Sequence, residues 1–530
     1  MNLPGFNKSR FAKLWKCVGG LAVFWFGIAG VETADAGANQ DQVAPSSVRP
    51  WAPSNLPSYE NALRQNSVTT LEKGKEFVDP RKEYTLPELI DLAEQLNPVT
   101  RVAWQNARQA LALVGVSKSA YYPYLSLAAA AGYQRFFVPF PNLEISQAAL
   151  KRALATGGPL QSAVTLTEGQ PLHFDVLYTS ELTMKWLLFD FGQRDATVNA
   201  AREGLLMANV AFNATHQRVV LDVSQSFYAY NLARESVKVS QSASDTAQTV
   251  YAAVKARAEN GLATKPELLQ ATQQLAEAQF NLEKARGSAR DAFVDLMNSI
   301  GLSPSILIRI AESFTGSVEV DLDTPLVSLV TRALSHRPDL VASLAKVRAA
   351  EDKIKAVKSS YLPKISALGN LGYGAERSSF QSSTFDSSAP TFGIGLGVEL
   401  PVFDGFLRDR SLEAAKAELE AASAQLEQTR DEAVRQVWKS YTDLRTAIRS
   451  GAAATALLKS SQSAYDSVLA SFKLGFSTYT EVVTNETKLS SARDSVFQTQ
   501  SAIHQAATGL AYAMGELGNP PRSGKPTHGN

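Results

Sequence analysis

Apolar and polar residues alternate along TFGIGLGVEL at 391–400. One face carries Phe392, Ile394, Leu396, Val398 and Leu400; the other carries Thr391, Gly393, Gly395, Gly397 and Glu399. Residues 176–188 repeat the pattern, with Val176, Tyr178, Ser180, Leu182, Met184, Trp186 and Leu188 opposite Thr179, Glu181, Thr183 and Lys185. Runs 124–135 and 364–375 alternate more weakly, through Leu125, Leu127 and Tyr133, then Ile365, Leu371 and Tyr373. The pattern predicts four strands of about ten residues, grouped as two hairpins. Such a sheet fits a half-buried face of a soluble sandwich. It fits equally a tilted strand set crossing a bilayer, apolar face to lipid and polar face to a lumen. Four strands cannot close a membrane barrel, and open edges are forbidden in hydrocarbon. If the strands span, the barrel is shared between chains.

Helical periodicity fills most of the remainder. A helix is predicted from Leu86 to about Ala120, broken at Asn97-Pro98, and the arrangement returns at 325–360 with its break at His336-Arg337-Pro338. After Gly192 the pattern runs to about Asn260 without a proline, marked by Val219, Val223, Phe227 and Tyr230. Val434, Trp438, Tyr441, Leu444 and Ile448 mark its second copy. At ~1.5 Å per residue, 65 residues approach ~100 Å, too long for a compact domain. Each long helix meets a turn, GLAT at 261–264 and GFST at 475–478, and a return helix follows at 265–300 and 479–514. Gly261 and Gly475 suit helix termination, and Thr264 and Thr478 suit capping of the return helices.

The chain is internally duplicated. FDFGQR at 189–194, with Phe189, Asp190 and Gly192, returns as FDGFLR at 403–408, with Phe403, Asp404 and Gly405. Tyr121-Tyr122-Pro123 returns as Tyr361-Leu362-Pro363. The duplication divides 85–305 from 325–515, with a linker at 306–324 and a flexible tail at 516–530.

Composition narrows the functional classes. With 52 basic and 51 acidic side chains the net charge is +1, so there is no basic footprint for nucleic acid. Lys8, Arg10, Lys13 and Lys16 precede a short apolar run and the small-residue site Ala34-Asp35-Ala36, the form of a signal peptide over 1–36 cleaved before Gly37. The only cysteine, Cys17, leaves with it. Residues 37–84 are rich in Pro, Ser and Asn and read as an extended leader with little core of its own. His173, His216, His336, His504 and His528 show no metal-ligand spacing, and neither a nucleophile elbow nor a phosphate loop is present. No cofactor, no metal and no catalytic residue is nominated, and the chain does not read as an enzyme.

Strands, long helices, paired tips and duplicated turns together resemble the TolC family of outer-membrane efflux proteins over roughly 85–515. The resemblance implies a mixed, mainly α fold: a homotrimer whose shared twelve-stranded barrel, four strands per protomer, continues into a long helical periplasmic barrel. It implies a passive exit duct in the outer membrane of a Gram-negative-type cell, in contact with outer-membrane lipid. A periplasmic adaptor (membrane fusion protein) would dock at the tips, Gly261, Leu262, Ala263 and Thr264 with Gly475, Phe476, Ser477 and Thr478. A proton-driven or ABC-type inner-membrane transporter would supply the energy. The family's periplasmic constriction falls here on Glu481 and Thr484, so the second acid of the pattern is missing; Glu267 is the counterpart of Glu481 in the first repeat. Two other readings remain: a duct specialised for type I protein or glycolipid secretion, and a non-channel coiled-coil structural protein of the envelope. The first hairpin connection, 137–174, is much longer than the second, 376–390, and reads either as an external loop or as a fold into the pore mouth.

Overall fold

The computed structural model describes residues 58–64, 74–138, 142–157, 164–167, 172–312, 325–380, 383–474 and 476–517. The chain divides into two units, Met1–Glu72 and Lys73–Asn530. In the first, residues 58–64 are helical; the sheet and the long helices all belong to the second. Signal segment, Cys17 and His528 lie outside the described residues.

Four strands form one antiparallel sheet in the order β2 (Tyr124–Val138), β5 (Leu172–Phe189), β7 (Lys364–Phe380) and β8 (Ser383–Glu399). They contain 15, 18, 17 and 17 residues, well beyond the ten expected. The alternation that predicts them covers only their apolar stretches. Backbone ladders continue into polar sequence, because the N–H and C=O groups pair whatever the side chain is. The second connection, expected over 376–390, is therefore almost entirely strand. In the first connection, β3 (Asn142–Ile145) pairs with β4 (Val164–Thr167), and α3 (Gln147–Thr156) lies between them.

Register carries the apolar positions across the sheet in rows. Leu127, Leu182, Leu371 and Phe392 share one row; Leu125, Met184, Gly369 and Ile394 share another. Tyr178 and Trp186 bound this face on β5. The eight steps from one to the other run roughly 26 Å along the strand at ~3.3 Å each, close to the length of the about 9–11 residues with which a tilted strand crosses a bilayer. On β8, Phe392 and Ile394 are 85% and 88% exposed. The opposite face is polar and crowded: a Cβ on Gly393 would lie 2.5 Å from the Asn370 amide oxygen. The outer edges of β2 and β8 have no partner strand among the described residues.

The helices follow the sequence periodicity closely. In each repeat a broken pair leads to the sheet: α1 (Leu86–Leu96) and α2 (Pro98–Ser119), then α6 (Leu326–His336) and α7 (Pro338–Ser359). Hairpins leave it: α4 (Gln193–Glu259) with α5 (Lys265–Ile300), and α8 (Leu407–Lys473) with α9 (Tyr479–Ala513). Both α4 and α8 have 67 residues, hence ~100 Å of length. Val219, Val223 and Phe227 are buried, but in α8 the buried stripe is Ala433, Val437, Leu444 and Ala447, while Trp438 is exposed. Paired long helices bury a narrow seam of small side chains, so the bulkiest residue need not mark it.

The leader and linker are partly folded, contrary to expectation. β1 (Glu83–Tyr84) pairs in parallel with β6 (Arg309–Ile310), and Val78, Tyr84 and Ile310 join the core around Phe227, Leu296 and Ile300. Two-residue strands are too short to leave a periodic signature. The supposed tail also begins structured, since Glu516 holds Arg332 at 2.6 Å.

Candidate functional site

The two hairpin tips are built alike. Gly261 adopts φ +74°, and Leu262 N–H closes back on the Arg257 carbonyl at 2.7 Å. Phe476 N–H closes on the Ser471 carbonyl at 2.9 Å. Both bonds satisfy carbonyls that a helix end leaves open. Leu262 and Phe476 stand exposed, and Ser477 is half-buried. Ala263 packs with Val254 and Tyr479 in a small apolar cluster that joins the two hairpins. Gly475 lies outside the described residues.

Thr264 and Thr478 cap the return helices as expected, each within a capping box. The partners are Glu267 and Glu481, whose carboxylates accept the Thr264 and Thr478 backbone N–H at 2.8 Å each. Glu481 is thus a cap residue with an exposed side chain. Thr484 lies one turn further on and donates to the Thr480 carbonyl at 2.8 Å; it does not join the Glu481 carboxylate.

The duplicated turns connect sheet to helices by one device. Asp190 accepts from Arg194 N–H at 2.9 Å and Nε at 3.0 Å, and the guanidinium reaches the carbonyls of Leu187 and Leu188. Its plane lies over Tyr121, whose hydroxyl bonds Asp195. Asp404, Arg408, Tyr361 and Asp409 repeat the set. The chain reverses through two consecutive left-handed residues, Phe191-Gly192 and then Gly405-Phe406, in swapped order. A left-handed Phe costs about 1–2 kcal/mol, which the ion pair and the edge-to-face contacts Phe189–Phe191 and Phe403–Phe406 offset. The aspartate and arginine four residues apart were the legible signal for this clamp.

Sequence reasoning missed a polar groove of about 380 Å³ between α4, α5 and α9, into which Glu486, Asp494, Glu277 and Lys284 point. Burial pushes the Glu486 carboxyl above its ordinary range, opposed by Arg493, and burial raises Asp494 as well. No signal announces it, because isolated acids on a polar helix look like solvated surface. Among the described residues no group of His, Cys, Asp and Glu is placed to hold a metal, and no helix is long and apolar enough to cross a membrane.

The geometry has counterparts in known proteins. A family model described as outer membrane efflux protein matches residues 89–302 and again 329–516. Protein CyaE of Bordetella pertussis is 26% identical over 449 residues, covering 84% of this chain and 87% of that one. The pyoverdine export outer membrane protein OpmQ of Pseudomonas aeruginosa is 23% identical over 346 residues, 64% of this chain and 70% of its own. Among solved structures, the Campylobacter jejuni CmeC outer membrane channel superposes with a TM-score of 0.66 at 17% identity, covering 81% of this chain and 85% of that one.

Proposed function

The chain belongs to the outer membrane efflux protein family, and on that premise we propose that it is the exit duct of a tripartite export system. Three copies close a twelve-stranded barrel in the outer membrane, and their hairpins form a periplasmic tunnel. The observation that carries this reading is the sheet itself. One face bears an apolar band of membrane-crossing length, yet the edges of β2 and β8 are unpaired among the described residues. Open edges are untenable in hydrocarbon, so further copies of the chain must complete the ladder.

Transport through this duct is passive. Energy comes from an inner-membrane transporter, proton-driven or ATP-driven, and a periplasmic adaptor joins it to the tips around Leu262, Ala263, Phe476 and Ser477. Glu481 from three copies forms the periplasmic constriction, a negative ring that favours cations. Residues 1–36 direct export and are removed. Export of small molecules has the support of the pyoverdine-exporting relative.

A photoreactive residue at Ser477, activated in intact cells, tests the assembly. The expected products are a crosslink to an adaptor and, in the same sample, trimer bands. Capture of an unrelated envelope protein with no trimer would overturn the duct reading.

A further inference from the structure

Just below the sheet lies a groove that the export reading leaves unused. It measures about 550 Å³, sits between the end of α2 and the start of α4, and is lined by Lys118, Tyr121, Tyr122, Asp195, Asn199 and Arg202. Its depth relative to a membrane follows from Trp186. That indole belongs to the apolar face and donates to the Tyr121 carbonyl at 2.9 Å, which places the Tyr121 segment on the lipid side. Tyr121 in turn binds Asp195 on the opposite wall.

The charges in this groove are unbalanced. Lys118 is exposed and makes no ion pair among the described residues. Arg202 donates to the Asn199 amide oxygen at 2.8 Å and meets no carboxylate there. Asp195 is occupied by the Tyr121 hydroxyl. Two cations therefore face one carboxylate at interfacial depth, and the groove keeps a net positive charge beneath Tyr122, which is 72% exposed. Above them Trp186, Leu188 and Phe189 continue the apolar face, the last brought onto it by a bulge between Leu187 and Phe189. The second repeat keeps the two cations as Lys358 and Lys416 but has Leu362 in place of Tyr122 and adds a carboxylate, Glu413, 214 positions after Asn199, which pairs with Arg410 at 2.7 Å.

We propose that this groove seats the phosphate of a glycerophospholipid from the periplasmic leaflet, once per protomer. Lys118 supplies a point charge and Arg202 a fork of donors to the phosphate oxygens. Tyr122 lies at headgroup level, and the acyl chains run upward over Trp186 and Phe189. The inference rests on the outer-membrane reading, since only there does lipid reach this depth.

Native mass spectrometry of the full-length protein, extracted from outer membranes and titrated with dioleoyl phosphatidylglycerol, tests it. Wild type should retain up to three lipids per trimer, and K118Q/R202Q should need about tenfold more lipid for equal occupancy. K473Q, at the distant tip, should match wild type. Equal lipid retention by the double variant overturns the proposal. A second arm uses wild type alone, with glycerophosphoglycerol and inorganic phosphate as competitors. Displacement of the lipid by either at millimolar concentration makes this a free-phosphate site and overturns the commitment to lipid. The same spectra report the trimer: an intact trimer from the outer membrane without bound lipid sinks this inference alone, whereas absence from the outer membrane sinks the duct reading with it.

Discussion

The guanidinium of Arg257 lies 5.7 Å from the ring centroid of Phe472, so the last turn of one long helix is fastened to the last turn of the other. The contact closes over the cluster of Val254, Ala271 and Tyr479, where the two hairpins of one protomer meet. No polar side-chain pair among the described residues repeats this link at the tips. Tip separation is therefore governed by a cation–π contact and a few apolar side chains.

Replacing Arg257 by Ala should loosen the tips by about 0.5–1 kcal/mol, the usual worth of an exposed cation–π contact. Phe472→Ala should cost more, since it also removes packing from the cluster. Hydrogen exchange would show faster amide exchange at 250–264 and 476–484, with the sheet unchanged. Unaltered exchange at both tips in both variants would refute the fastening.

A second pair of contacts fixes the opposite ends of the hairpins. Gly301 ends α5 at φ +85°, and a Cβ there would lie 2.9 Å from the Asn97 Cα; Gly515 follows α9 at φ +74°, 3.0 Å from the Arg337 Cα. Asn97 donates to the Ser299 carbonyl and Arg337 to the Ala513 carbonyl, so each helix end is capped by the break of the preceding helix pair. Gly301→Ala and Gly515→Ala should each lose at least about 1–2 kcal/mol from the left-handed backbone alone, before the clash is counted. Gly287→Ala, in open space within α5, should be neutral or stabilising. Thermal melting of the three variants checks the order.

Both helix breaks were legible because proline and the preceding residue leave a local signature. Their partners 202 and 176 residues away were not. The same division holds elsewhere. Gly192, Gly405 and the aspartates of the turns stand out in sequence, but that Phe191 and Phe406 take the left-handed conformation depends on clamps made by Arg194 and Arg408. The alternation at 391–400 identifies β8, yet nothing in it announces that the ladder continues through 383–390, where Pro390 is tolerated beside an edge. Tyr84 and Ile310 were invisible because their strand pairing lasts two residues and draws its stability from a core assembled by α1, α4 and α5. Tip residues were placed from glycine and threonine spacing; what they touch was not.

Glu481 separates two roles that one substitution distinguishes. Glu481→Gln retains an acceptor for the Thr478 N–H, so the capping box survives and stability should fall little. Glu481→Ala should lose about 0.5–2 kcal/mol of helix capping. If three Glu481 carboxylates ring the tunnel, the glutamine variant should still reduce cation selectivity in planar bilayers. Unchanged ion selectivity in Glu481→Gln would leave Glu481 as a cap alone.

The groove between α4, α5 and α9 should make stability depend on pH through Glu486. Its carboxyl is raised above the ordinary value of 4.5 by burial, while Arg493 acts the other way. Glu277 from α5, Asp494 from α9 and Lys284 from α5 face the same space. A raised value means that the folded seam takes up a proton more readily than the unfolded chain does. Its stabilising effect is therefore complete below the ordinary value and disappears as pH rises through the raised one. Glu486→Gln is neutral throughout, so at about pH 7.5 the variant should melt above wild type, and near pH 4 the two should converge. A constant difference across that range would assign the effect to packing, and a less stable variant at neutral pH would show that the carboxylate is better solvated in the groove than its burial implies.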